Sequence, residues 1–290
     1  GFFGLSEAID DPAVFSALFQ AAETWLHSKG MREVIGPFNL SINQDLGVLI
    51  EGFDSPPSVM TGHAPAYYGA AIEACGYRPV QDLLAYGLDG GTLAIPRVMR
   101  ALIDRSGDRI KVRSLGSKPK KVELESMRDI FNDAWKNNWN FTPFTPEEFN
   151  LIGKELLLAA PKNFIQIAEV DGQDSAFIVL LPNINEAIAD LDGRLLPVGW
   201  AKLFWRLKVG FPKSARVALM GVRQKYQNTR FGPALAYMII NEVMEAGKAK
   251  GLERVEMSWI LDHNHGVRNI IESVGGQITK RYRMYEKELS

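Results

Sequence analysis

The stretch Arg216-Val217-Ala218-Leu219-Met220-Gly221-Val222 is followed by the polar run Arg223 to Arg230 and then by Phe231-Gly232-Pro233-Ala234-Leu235. The first seven residues read as an apolar strand. From Phe231 to about Lys250 the spacing of Leu235, Met238, Ile239, Val243 and Ala246 predicts a helix with a buried stripe. Lys248 and Lys250 suit the last turn, and Gly251 suits the stop beyond it. A strand from Arg254 to Ile260 comes next, then the polar break Asp262-His263-Asn264-His265. A short helix to about Val274, the Gly275-Gly276 stop and a final strand through Tyr282 and Tyr285 complete the pattern.

This order, from residue 216 to residue 285, resembles the acyl-CoA-binding half of the GNAT superfamily of N-acetyltransferases. The resemblance implies a mixed α/β (α+β) fold, a twisted sheet flanked by helices. It also implies that the loop and helix start hold the pyrophosphate of acetyl-CoA or another acyl-CoA. Unsatisfied N–H groups and the positive end of a helix dipole favour anions. The family loop reads Gln/Arg-x-x-Gly-x-Gly/Ala; here the matching residues are Gln227-Asn228-Thr229-Arg230-Phe231-Gly232. Arg230 stands where the family has its middle glycine. Its guanidinium suits phosphate, while its Cβ restricts a backbone that needs positive φ. The cofactor contacts implied are Gln227, Asn228, Arg230, Phe231, Gly232 and Ala234, with N–H groups of the fourth strand near Met220 and Val222 on the thioester carbonyl. Asn264 followed eleven residues later by Gly275 resembles the family's second motif.

Amide formation from a thioester needs a base for the amine and donors for the oxyanion. Glu256, Asp262 and Asn264 are the candidates the resemblance places by the acceptor. The family's tyrosine acid, seven residues after the asparagine, is replaced by Ile271. The alternatives are a binding or scaffold protein that kept the fold without the chemistry, and a transferase using a non-CoA acyl or aminoacyl donor.

Outside this half, the sequence echoes itself. Ser28-Lys29-Gly30 matches Ala249-Lys250-Gly251 at an offset of 221 residues, and Ala71 to Gly76 matches Ile270 to Gly275 at 199. Ordered offsets of this kind predict a duplication. The extra residues of the first copy, between Asn43 and Gly62, read as a long loop. That copy is expected to begin with a strand over Phe2 to Glu7 and a helix capped by Asp10 or Asp11 with Pro12 in its first turn. Two carboxylates there repel a pyrophosphate, so only the second copy is expected to bind CoA. Asn39, Ser41 and Asn43 alternate as on one face of an extended ligand-contacting edge, or serve as turn formers.

The organisation expected is a truncated half-domain over residues 1–89, a connecting segment over 90–107 opened by Gly90-Gly91, and a complete unit over 108–290. In the complete unit the readings are a strand at Ile110 to Leu115 and a helix from Glu123 to Trp139. A second helix starts at Thr145-Pro146-Glu147-Glu148, and two strands join at Asp171 to Asp174. The aromatic and amide run Trp135 to Phe144 suits either a small polar acceptor or a core turn. The segment Pro182 to Pro212 is a long insertion that covers the substrate side or packs on the first half.

The 290 residues are 46% hydrophobic and 23% charged with a net charge of −1, which excludes a general nucleic-acid binder. Cys75 is the single cysteine, and no apolar run spans a bilayer. A cytoplasmic protein without a membrane partner, acting on a small-molecule amine and holding no metal, is expected. The opening Gly1-Phe2-Phe3, without Met, predicts that the natural chain extends upstream.

Overall fold

The computed structural model describes residues 1–89 and 96–289; the expected Gly90-Gly91 break lies outside them. The chain divides into two compact units: residues 1–86, 259–265 and 278–290, and residues 87–258 and 266–277.

In the first unit, α1 (Pro12–Ser28) starts at Asp11, whose carboxylate accepts the Ala13 N–H at 2.8 Å. There follow β1 (Glu33–Gly36), the ribbon β2 (Phe38–Asn39) and β3 (Asp45–Leu46), β4 (Val48–Glu51), α2 (Tyr67–Ala74) and β5 (Arg78–Asp89). No strand forms over Phe2 to Glu7. Phe2 makes an isolated bridge to Ile35, and Leu5 at φ 52° ends the extension. The segment read as a long loop contains β3 and β4, because Leu46, Val48 and Leu49 are core residues. Asn39 and Ser41 do not share an extended face. Leu40 at φ 82° separates them, Ser41 bonds the Asn43 N–H at 3.2 Å, and Asn39 bonds Asp45 at 2.9 Å.

The second unit holds α3 (Arg97–Ser106), β6 (Ile110–Ser114), α4 (Lys120–Trp135), α5 (Pro146–Ala159), β7 (Ile165–Val170) and β8 (Gln173–Pro182). After these come α6 (Ile184–Ile188), α7 (Gly199–Lys208), β9 (Ser214–Val222), α8 (Gln224–Gln227), α9 (Phe231–Ala249), β10 (Arg254–Leu261) and α10 (His265–Ser273). β11 (Gln277–Glu288) returns to the first unit. The strands β6, β7, β8 and β9 are antiparallel neighbours in that order, and β10 is parallel to β9. Thr145 and Glu148 form a reciprocal capping box on α5. α9 buries Leu235, Ile239 and Val243 as the periodicity predicts, and also Ala236, Ile240 and Met244. It packs on β7 and β8 with a wider face than one stripe.

The elements of the chain recur in phase with the two offsets. α1 ends at Ser28 and α9 at Ala249, and β1 begins at Glu33 and β10 at Arg254. α2 ends at Ala74 and α10 at Ser273, and β5 and β11 are both 12 residues long. The glycines that stop the two long helices, Gly30 and Gly251, lie at φ 78° and 80°, where a Cβ is strained. In the first unit the strand order is β1, β11, β5, then the end of β10.

One charged cluster pins the start of the second unit. Arg113 bonds Glu123 at 2.7 Å, Glu169 at 2.9 Å and Asp174 at 3.0 Å, while Lys118 reaches Glu169 and Asp174. Glu123, 1% exposed, also accepts the Gly116 N–H at 2.8 Å. Burial alone raises the Asp174 carboxyl, but bonds from Lys118, Ser126 and Arg113 outweigh it and hold the group at about 2. A depressed carboxyl adds stability above its unfolded value, which is lost as pH falls through the folded one. Stability is therefore expected to drop between pH values of about 4 and about 2. In urea titrations across that range, Asp174→Asn should be less stable at neutral pH and show a shallower acid slope.

Candidate active site

β9 and β10 pair only from Ser214–Arg254 to Val217–Met257. Beyond Val217, among the described residues, no strand covers that side of β9 within the second unit. The Arg223 N–H donates to the Ser175 carbonyl at 2.9 Å, which fixes that pair as hydrogen-bonded. Antiparallel ladders alternate, so Gly221 faces β8 while Met220 and Val222 turn their N–H and C=O groups away from it. Their carbonyls are capped by side chains: Trp135 Nε1 donates to Met220 O at 2.9 Å, and Gln227 Nε2 to Val222 O at 2.8 Å. The N–H groups of the same two residues point to the same edge.

The crossover from β9 to α9 is held by the last turn of α4. Asp133 accepts the Gln224 N–H at 2.8 Å, Ala134 O accepts Gln227 Nε2 at 3.2 Å, and Trp135 caps Met220. Burial raises the Asp133 carboxyl, but the Gln224 N–H and Lys136 lower it further, so its net direction is down. Trp135 is set by stacking on Phe131, with centroids 5.2 Å apart. Asn132 bonds both the N–H and the C=O of Phe144, closing the segment between α4 and α5. In that segment Phe144 is core and Asn138 belongs to a turn, with its N–H on Trp135 O at 2.8 Å. Nothing in the sequence spacing signalled the clasp, because its partners lie about 90 residues apart in the chain.

At the loop, the Gln227 amide ties the loop to β9 and α4. Asn228 is exposed at the end of α8. Thr229 accepts the Phe231 N–H at 3.2 Å. Arg230 is right-handed helical at φ −57°, so the position asks for no positive φ and tolerates a side chain. Its guanidinium lies 5.5 Å from the Phe231 ring, and that of Arg109 lies 5.0 Å from the same ring. Arg109 is held by Asp171 at 2.6 Å. A Cβ on Gly232 would meet Tyr226 O at 2.6 Å and Gln227 O at 2.7 Å. The glycine is thus required by the loop's own backbone. Ala234 is buried at the first turn of α9.

Of the acid–base candidates, Glu256 sits on β10 in register with Arg216. Its carboxylate accepts Ser258 Oγ at 2.7 Å, which in turn accepts Arg216 Nε at 2.8 Å. Arg216 and Ser258 are both buried. Asp262 and Asn264 belong to the first unit. There Asp262 accepts Gln81 Nε2 at 2.6 Å and lies 3.4 Å from His263 Nδ1, and the Asn264 N–H bonds Leu261 O at 2.9 Å. Ile271, at the family's tyrosine position, is fully buried.

The arrangement defines a protein of the GNAT fold. A GCN5-related N-acetyltransferase from Sphaerobacter thermophilus superposes over 94% of this chain and 67% of its own, with a TM-score of 0.55 at 13% identity. A tandem GNAT protein from the clavulanic acid biosynthesis pathway covers 94% and 69%, with a TM-score of 0.51 at 11% identity. No protein-family model matches the sequence. Two curated proteins align over the whole chain: Protein YghO of Escherichia coli, 47% identical across 74% of its own length, and the bacterial ceramide synthase of Caulobacter vibrioides, 44% identical across 75%. The chain belongs to the family that contains these two proteins. Among the described residues no helix is long and apolar enough to cross a membrane.

If the α4 clasp orders the loop, Asp133→Ala should cost about 1–2 kcal/mol of stability. Hydrogen exchange over residues 224–230 should accelerate more than exchange in β7 and β8. Unchanged loop exchange would separate the clasp from loop order.

Proposed function

We propose that the chain is an N-acyltransferase that moves the acyl group of an acyl-CoA onto the amine of a long-chain lipid base, forming a ceramide-type amide. The observation that carries this reading is the 44% identity, along the entire chain, to a protein named for ceramide synthesis. The small-molecule amine expected from the sequence becomes, in this reading, an amine on a lipid.

The second unit supplies what the donor requires. The outward N–H groups of Met220 and Val222 stand where a thioester carbonyl can take an edge-strand hydrogen bond, and the capped carbonyls beside them do not compete for it. Arg230 and the first turn of α9 supply positive potential for the donor's phosphates, with the Phe231 ring beside them. The amine nitrogen attacks the thioester carbon, the C–N bond forms and the C–S bond breaks. The CoA sulfur leaves as thiolate, and the ammonium proton passes to a carboxylate. Glu256, in the same unit as the open strand edge, is the base proposed. Fixed donors at the developing oxyanion lower the barrier more than they bind the ground state.

The test is turnover of a long-chain amine with acyl-CoA donors of graded length, together with acyl-CoA binding followed by thermal shift. A donor at about 100 times its Kd should stabilise the protein by about 2.7 kcal/mol. Gly232→Ala, whose Cβ collides with the loop carbonyls, should weaken acyl-CoA binding by about tenfold or more. Glu256→Gln should lower kcat with little change in donor binding if Glu256 is the base. Turnover only with an acyl carrier protein would overturn the donor assignment, and turnover only with short polar amines would overturn the acceptor.

A further inference from the structure

The insertion between β8 and β9 does not bury its apolar residues. Leu195, Leu196, Trp200, Phe204, Trp205 and Val209 are between 49% and 79% exposed. With Val198 they make seven of the twenty exposed large apolar side chains among the described residues, gathered into fifteen positions. Such clustering is not the scattered exposure expected of a soluble surface.

The patch is held in shape. α7 packs against α6, and Leu203 and Leu207 are half-buried. Arg206 bonds the Asp190 carboxylate and, at 2.9 Å, the Ala187 carbonyl, and Lys202 reaches Asp190 at 3.3 Å. Trp200 Nε1 bonds Pro197 O at 3.0 Å, folding the Leu195–Val198 loop back onto the helix start. The outer face of α7 therefore presents two indoles and a phenyl ring on a fixed frame.

Charge selects the occupant. From Asp190 to Lys213 the sequence contains five basic residues against Asp190 and Asp192, a surplus of three positive charges in a chain whose net charge is −1. Two copies of this face brought together would oppose like charges. An anionic bilayer complements them, and its interface is where Trp, Lys and Arg settle together. We propose that α7 and the preceding loop form a docking surface for the interface of an anionic lipid bilayer, lying in its plane. This departs from the expectation of a protein without a membrane partner. It stands on the patch alone, apart from the acyl-transfer reading. If both hold, docking brings the second unit to the phase in which a lipid amine is dissolved.

The test uses the whole chain with two kinds of vesicle, phosphatidylcholine alone and phosphatidylcholine mixed with phosphatidylglycerol, in a sedimentation assay without donor or acceptor. The protein should sediment with the anionic vesicles, less so as salt rises, with a blue shift of tryptophan emission. Phe204→Glu with Trp205→Glu should lower the partition coefficient by about tenfold or more at an unchanged melting temperature. Leu196→Glu, outside the helix, should weaken binding in the same direction without touching α7. Failure of the wild type to bind anionic vesicles, or equal binding by the variants, would overturn the proposal. So would a dimer in solution that the same substitutions dissolve while vesicle binding is absent. Acyl-CoA binding by thermal shift is read separately, so loss of docking and loss of the transferase reading remain distinguishable.

Discussion

A strand that parts from its neighbour leaves backbone groups that must still be satisfied, and this constraint organises the second unit. β9 loses β10 after Val217, and the residues that face the gap are Met220 and Val222. An uncompensated buried amide or carbonyl costs on the order of 1–3 kcal/mol. The carbonyls are compensated by two side chains from different directions, the Trp135 indole and the Gln227 amide. Each cap brings its own supports. Trp135 needs Phe131 to orient its ring, and Gln227 needs the loop folded so that its amide reaches both Val222 and Ala134. The loop in turn needs Gly232, since any Cβ there would strike two carbonyls of the preceding turn. The open edge, the α4 clasp and the loop glycine are thus one interdependent arrangement.

The first unit shows a second constraint, on strand order. In the order β1, β11, β5 and the end of β10, strands from the two halves of the sequence alternate. Each 12-residue last strand lies beside the strand that follows the other half's long helix. The exchange is reinforced electrostatically. Asp82 on β5 bonds Arg283 at 2.7 Å and Arg281 at 3.1 Å on β11. Burial pushes the Asp82 carboxyl up, but these two guanidinium groups outweigh it and hold the group below the usual carboxylate range. Residues 1–86 gain strand partners from the end of the chain in this way, which explains why residues 278–290 cluster with them.

Much of the element order was legible because it is local. The 3.6-residue spacing of Leu235, Ile239 and Val243, the Thr145–Glu148 capping box and the repeated Lys-Gly helix stops all signal through neighbours in sequence. What was not legible depends on contacts across the chain. β4 is four residues long inside a Gly- and Pro-rich segment, and its pairing with β11 is invisible to local pattern. The bonds from Asp133 and Trp135 span 91 and 85 residues. Gly232 was legible as a glycine of the loop motif, but not its contact with the Tyr226 and Gln227 carbonyls, which only the folded loop brings against it. Arg230 raised the opposite difficulty, and its helical φ removes it.

The two halves differ most in what their long helices begin with, and that asymmetry bears on the chemistry. α1 begins at a carboxylate that bonds its own helix N–H, so its positive end is internally neutralised. α9 begins after Arg230, with no acidic residue in its first turn, so its positive end is not offset in the same way. Ile271 adds a further demand. Where the family places a phenol, this chain has a fully buried alkyl group, so no proton donor stands at that position. A thiolate is a far better leaving group than an alkoxide because its conjugate acid is already weakly acidic, near 8.5 for an ordinary thiol. In the reaction proposed above, the demanding part is then the oxyanion and the amine proton. Those are the charges that the proposal assigns to the outward N–H groups of the open strand edge and to the carboxylate that accepts the Ser258 hydroxyl.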